Sequence, residues 1–112
     1  MMISEPVHVS DLAFERAVLQ SKLPILVDFW SPTCAPCKTV EPVLKKLANE
    51  FAGKVIVAKV NTADYPQLAE KFNIHGVPST LFFLRGKEVG REVGAMPEAM
   101  FRQKIGEVLG IQ

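Results

Sequence analysis

Apolar positions recur along the chain with two different periods, and the switches between them lay out the elements. The stretch Ile25-Leu26-Val27-Asp28-Phe29-Trp30 is apolar on both alternating faces apart from one acid, the pattern of a central strand covered on both sides. Val55 to Val60 repeats that pattern as a second buried strand. Between them, Val40, Leu44, Leu47 and Phe51 fall at steps of four, three and four, which predicts a long helix that Gly53 can end. Pro42 lies inside it and should kink it, having no N–H for the helical ladder. Earlier, Pro6 to Val9 reads as a short strand. Ser10 or Asp11 is then placed to cap a helix with Leu12, Phe14, Ala17 and Val18 on its apolar face, broken at Lys22 to Pro24.

In the second half, a helix is expected from Pro66 to Phe72, with Asp64 as its cap and Pro66 in its first turn. Thr80 to Leu84 is a strand, turned back by Arg85-Gly86-Lys87 into Glu88 to Val93 as a hairpin. Gly90 and Gly94 suggest a bend or a close approach in and after that last strand. Pro97 starts a final helix with Phe101, Ile105, Val108 and Leu109 inward and Gly110 as its stop, and Met96 and Met100 also read as core. The order β-α-β-α-β-α-β-β-α implies parallel crossovers followed by a hairpin. The expected fold is therefore α/β, a mixed five-stranded sheet flanked by four helices. Neither repeat nor linker interrupts the 112 residues, so one domain over 1–112 is expected.

Composition narrows the function. The net charge is +1 and no block of like charges stands out, so a nucleic-acid binder with a basic stripe is not expected. No apolar run approaches the roughly 20 residues a membrane helix requires. Met1 to Ser10 has no apolar core of a secretory signal, which makes the cytoplasm the expected compartment.

The two cysteines stand in Cys34-Ala35-Pro36-Cys37, at the start of the long helix. A loop this short constrains little of the unfolded chain, so redox chemistry is a better reading than a structural staple. A zinc site would need two more ligands, and the only histidines, His8 and His75, are far apart in sequence. No metal is expected. Residues i and i+3 share a helical face, so the sulfurs can meet. Cys34, at the helix N-terminus, faces unpaired N–H groups and the positive dipole end, which favour a thiolate. Thiolate is the attacking species. Cys34 is thus the expected attacking thiol, and Cys37, one turn in and more buried, the resolving thiol.

Pro36 removes an N–H and stiffens the turn. Asp28, an acid on a buried strand, is costly unless neutral, paired or functional. It is a candidate general base for the Cys37 proton, through water, or a structural acid satisfied by Lys59 on the neighbouring strand. Trp30 reads as packing near the site, and His75 as an exposed loop residue.

Together these residues resemble the thioredoxin family. The stretch Val27-Asp28-Phe29-Trp30-Ser31-Pro32-Thr33-Cys34-Ala35-Pro36-Cys37-Lys38 is similar to its VDFWA-x-WCGPCK signature, and Gly76-Val77-Pro78-Ser79-Thr80 to its glycine-isoleucine-proline-threonine loop. Pro42, Asp28, Lys59 and Gly94 match its helix proline, buried acid, buried lysine and groove glycine. The spacings among these positions require no insertion or deletion, and the resemblance covers nearly the whole chain. It implies the thioredoxin fold and protein-disulfide reduction with no cofactor of the protein's own. It also implies a cis Val77–Pro78 bond and a substrate strand paired with Val77, flanked by Pro36, Gly76, Val93 and Gly94. The implied partners are protein disulfide substrates and a thioredoxin reductase, with a monomeric protein, no nucleic acid and no membrane. Thr33 replaces the family's second tryptophan and Ala35 its usual glycine, which bears on substrate range. Two other functions fit the same resemblance: a binding subunit whose cysteines idle, and a more oxidising isomerase or oxidase.

Overall fold

The computed structural model describes residues 2–111. Five strands form one sheet in the order β1-β3-β2-β4-β5: β1 (Val7–His8), β2 (Ile25–Trp30), β3 (Ile56–Asn61), β4 (Ser79–Leu84) and β5 (Lys87–Val93). β1 and β2 both run parallel to β3, whereas β4 is antiparallel to β2 and to β5. The mixed sheet expected from the order of elements is therefore the one found.

Strand alternation sends side chains into two separate cores. Leu26, Val57 and Phe82 meet Val40, Leu44 and Leu47 of α2 (Ala35–Glu50) and Phe101 and Ile105 of α4 (Glu98–Ile111). On the opposite face, Ile25, Val27, Phe29, Val60 and Phe83 pack with Phe14 and Val18 of the first helix and Leu68 of α3 (Pro66–Lys71). An aromatic group anchors this second core: the Phe14 and Phe72 ring centroids lie 5.0 Å apart, and Phe83 stands edge-on to both rings. Across the first face, Arg102 of α4 holds Glu50 of α2 with Nη2 2.7 Å from Oε1, and also bonds Glu98. That surface network fixes the helix pair with little net stabilisation.

Several local expectations are corrected. The first helix is α1 (Asp11–Phe14), continued by wider π-helical turns over Glu15–Leu19. Ser10 is its cap, its hydroxyl accepting the Ala13 N–H at 3.2 Å. Leu12 is 94% exposed, and Ala17 is exposed as well. At about 100° per residue Leu12 lies about 200° from Phe14, so the two cannot share a face. Asp64 does not cap α3: Tyr65 occupies that position without a side-chain bond. Gly110 does not stop α4, which runs to Ile111. Met100 is partly exposed whereas Met96, ahead of the helix, is buried. α2 runs continuously from Ala35 to Glu50 with Pro42 inside it, as expected.

The hairpin between β4 and β5 is tighter than the sequence suggests. Leu84 pairs with Lys87, which leaves Arg85 and Gly86 as a two-residue turn with both φ angles positive. That is the turn whose twist suits a hairpin. A Cβ on Gly86 would sit 2.7 Å from the backbone oxygen of Leu19. Gly86→Ala is therefore expected to destabilise the fold by roughly 2 kcal/mol, from left-handed strain plus the clash. Urea unfolding measures it, and an unchanged midpoint would contradict the packing described. Further along, Phe82 pairs with Gly90 and Phe83 with Glu88, so Val89 is an extra residue, a β-bulge.

Candidate active site

One row of the sheet departs from its apolar pattern. The register aligns His8 of β1 with Lys59 of β3, Lys59 with Asp28 of β2, Asp28 with Thr80 of β4, and Thr80 with Glu92 of β5. Neighbours in register point to one face, here the face covered by α2 and α4. A polar strip thus crosses the whole sheet one row from Leu26 and Phe82, next to the end where β2 stops and α2 begins. Asp28 is 1% exposed and Lys59, Thr80 and Ser79 are also buried.

At that end Cys34 forms the N-cap of α2, with φ −94° and ψ 105°. Its Sγ accepts the Cys37 N–H at 3.1 Å, the bond a serine or aspartate oxygen makes at other helix starts. Pro36 occupies the second helical position, where its missing N–H removes one of the donors that would otherwise lack a partner. Cys34 and Cys37 are joined as a disulfide with Cα atoms 5.3 Å apart. Both residues are buried, Cys37 only slightly the more so, with Ala35 and Pro36 exposed between them. The asymmetry of the pair resides in helix position rather than in burial: only Cys34 caps the helix.

The Val77–Pro78 bond is cis. Pro78 precedes Ser79, the partner of Phe29 in the β2–β4 ladder, so its loop runs beside the end of β2 from which the cysteine turn departs. The Pro78 carbonyl accepts the Gly94 N–H at 2.8 Å, tying Gly94, with φ +101°, to the same loop. Val93 is 66% exposed, and its Cγ1 lies 3.7 Å from where a Gly76 Cβ would project. Gly76, Val77, Val93 and Gly94 thus form one surface around Pro78, which is itself buried. His75 is exposed beside it.

Beneath the disulfide the electrostatics are uneven. Asp28 Oδ1 is buried without a hydrogen-bond partner among the described residues. Burial pushes the Asp28 carboxyl up to about 7, opposed by the Lys59 ammonium and assisted by the negative charge of Glu41. Lys59 does not form an ion pair with Asp28. Its Nζ lies 3.4 Å from Glu41 Oε1 and 4.7 Å from the centre of the Trp30 ring. The expectation that Lys59 satisfies Asp28 directly is corrected accordingly. A cavity of about 120 Å³ is lined by Trp30, Ser31, Cys37, Lys38, Glu41 and Lys59, room enough for water beside Cys37. Asp28 stands behind Lys59 and does not line it. Glu41 is the residue that sequence reasoning passed over. Its place on the Cys37 face of the helix follows from the spacing of four, but its pairing with Lys59 does not.

Comparisons with known proteins agree with this arrangement. The Thioredoxin family profile matches residues 5–107. The chain is 41% identical over 105 residues to the thioredoxin of Haemophilus influenzae, covering 94% of this chain and 98% of that protein. It is 40% identical over 103 residues to thioredoxin 1 of a Nostoc species, covering 92% and 96% respectively. The chloroplastic M-type thioredoxin of Spinacia oleracea is 38% identical over 107 residues, covering 96% of this chain, which spans 59% of that longer protein. With a redox-active cysteine pair at the head of a helix, beside a cis-proline loop and within the matched residues, this chain belongs to the thioredoxin family of thiol–disulfide oxidoreductases.

Proposed function

We propose that the protein reduces disulfides in protein substrates, with Cys34 attacking and Cys37 resolving. The observation that carries this division of labour is the N-cap bond from the Cys37 N–H to the Cys34 sulfur. In the dithiol form that donor and the helix dipole favour negative charge on Cys34 and on no other thiol. The thiolate attacks one sulfur of the substrate disulfide. A mixed disulfide forms, and the first substrate thiolate leaves and takes up a proton. Cys37 then yields its proton, by way of water, to the ionised Asp28 carboxylate and attacks the Cys34 sulfur. The second substrate thiolate departs. The substrate gains two electrons and the protein is left with the Cys34–Cys37 disulfide.

Asp28 suits the base role because a carboxyl held near neutral pH is ionised in useful amount and still binds a proton well. Lys59 tunes that carboxyl across the strand pair. Pro36, Gly76, Val77, Pro78, Val93 and Gly94 form the substrate site, and the Val77 backbone, which makes no backbone hydrogen bond among the described residues, is offered to an extended chain. A thioredoxin reductase returns the electrons, and the protein works as a cytoplasmic monomer. Family membership favours this exchange chemistry over a binding subunit with idle thiols.

The test is turnover of insulin disulfides with dithiothreitol, then with NADPH and a thioredoxin reductase. The protein is expected to turn over in both assays. No turnover in either would reduce it to a binding subunit, and turnover with dithiothreitol alone would call for a different electron donor.

A further inference from the structure

The pairing of Lys59 with Glu41 is not what the sheet alone would produce. Asp28 and Lys59 are direct neighbours in the parallel β2–β3 register, opposite charges side by side on one buried face. The low-dielectric interior should draw the ammonium onto the carboxylate. It lies instead at Glu41, and over the Trp30 ring, on the wall of the cavity that Cys37 also lines. Glu41 reaches it from α2, one helical turn past Cys37, and its side chain is about half exposed, so it carries its charge at little desolvation cost.

We propose that Glu41 is a positioning residue for the resolving step: it holds the Lys59 ammonium at the cavity wall, off the Asp28 carboxyl, and so governs when that carboxyl gives up its proton. The other ionisable groups around Asp28 are accounted for. On α2 there are Cys37, bound in the disulfide, and Lys38 and Lys45, which are not paired to it. On the edge strands there are His8, beyond Lys59, and Glu92, whose charge is met by Lys104 of α4 at 3.3 Å. Glu41 is the negative charge that raises Asp28, and Lys59 the positive one that lowers it. Removing Glu41 acts twice in one direction, since it deletes the first and frees the second to close on Asp28. The proposal rests on Asp28 as the proton acceptor, and its test separates the two ideas.

Carbon-detected NMR titration of the Asp28 carboxyl in the intact reduced protein reads the protonation directly. Stopped-flow resolution of a preformed mixed disulfide across pH reads the chemistry. Glu41→Gln is expected to move the Asp28 midpoint about one pH unit toward acid, and Glu41→Asp to recover part of it. In a Lys59→Met background the same Glu41→Gln change should move the midpoint less than about half as far, because the charge it repositions is gone. An unmoved midpoint overturns the proposal, as does a shift of equal size with and without Lys59. If the NMR midpoint moves as expected while the pH profile of resolution stays in place, Glu41 positions Lys59 as proposed, and it is the base role of Asp28 that falls.

Discussion

Cys34→Ser is expected to abolish disulfide reduction, whereas Cys37→Ser still attacks and then arrests as a mixed disulfide with its substrate. The basis is the local structure at the start of α2. The Cys34 sulfur is the atom on which the Cys37 N–H converges, and serine in its place supplies an oxygen that caps well but remains protonated at neutral pH. Cys37 does not cap the helix, so it gains none of that stabilisation as a thiolate. Mass spectrometry of each variant after exposure to a disulfide-bonded protein decides the matter. Adduct should accumulate on Cys37→Ser alone. If it accumulated on Cys34→Ser instead, the two roles would be exchanged.

Asp28→Asn should stabilise the fold above neutral pH and slow resolution of the mixed disulfide. The carboxyl titrates near 7 in the folded protein and near the ordinary 3.8 when unfolded, with burial as the main cause. Between those values the folded state holds a proton that the unfolded state has released, so stability falls as pH rises through this window. Above both, the cost is on the order of 4 kcal/mol, from three units at about 1.4 kcal/mol each. Asparagine carries no such penalty, though its amide must still be accommodated next to Lys59 and Thr80. Denaturant midpoints should therefore diverge between wild type and variant from about pH 4 upward and become parallel above about pH 8. Wild-type and variant midpoints that fell together with pH would show that the window belongs to another group. Resolution at the wild-type rate would leave Asp28 a structural acid.

Much of this was legible in the chain because period and punctuation agree. The doubly apolar runs Ile25–Trp30 and Val55–Val60 fall on β2 and β3, two of the three interior strands, and the steps from Val40 to Leu47 are the inner face of α2. Cys34 and Cys37 could be assigned because their position at a helix start is itself a sequence feature. Where the reading failed, the deciding contact was tertiary or the helix was not α. The π-helical turns after Phe14 have no signature in the apolar spacing, and Leu12 is an apolar residue that faces solvent. Lys59 is a candidate partner for Asp28 by sequence because strand neighbours are visible there. A competitor on a helix that crosses over the sheet is not. Glu41 became apparent only once α2 was laid over β3.

The bulge at Val89 bears on the company such a protein keeps. Substrates with accessible disulfides offer extended, partly unfolded chain, and the open edges of a sheet are templates for it. This sheet gives that chain little to join. β1, on one edge, is two residues long, and β5, on the other, is broken by the extra residue. Along β5, Glu88 is clamped to Arg91 with Nε 2.7 Å from Oε2, and Glu92 is paired to Lys104, so charged groups line the edge where a foreign strand would need to dock. The scaffold is thereby guarded against edge-to-edge pairing with extended chain.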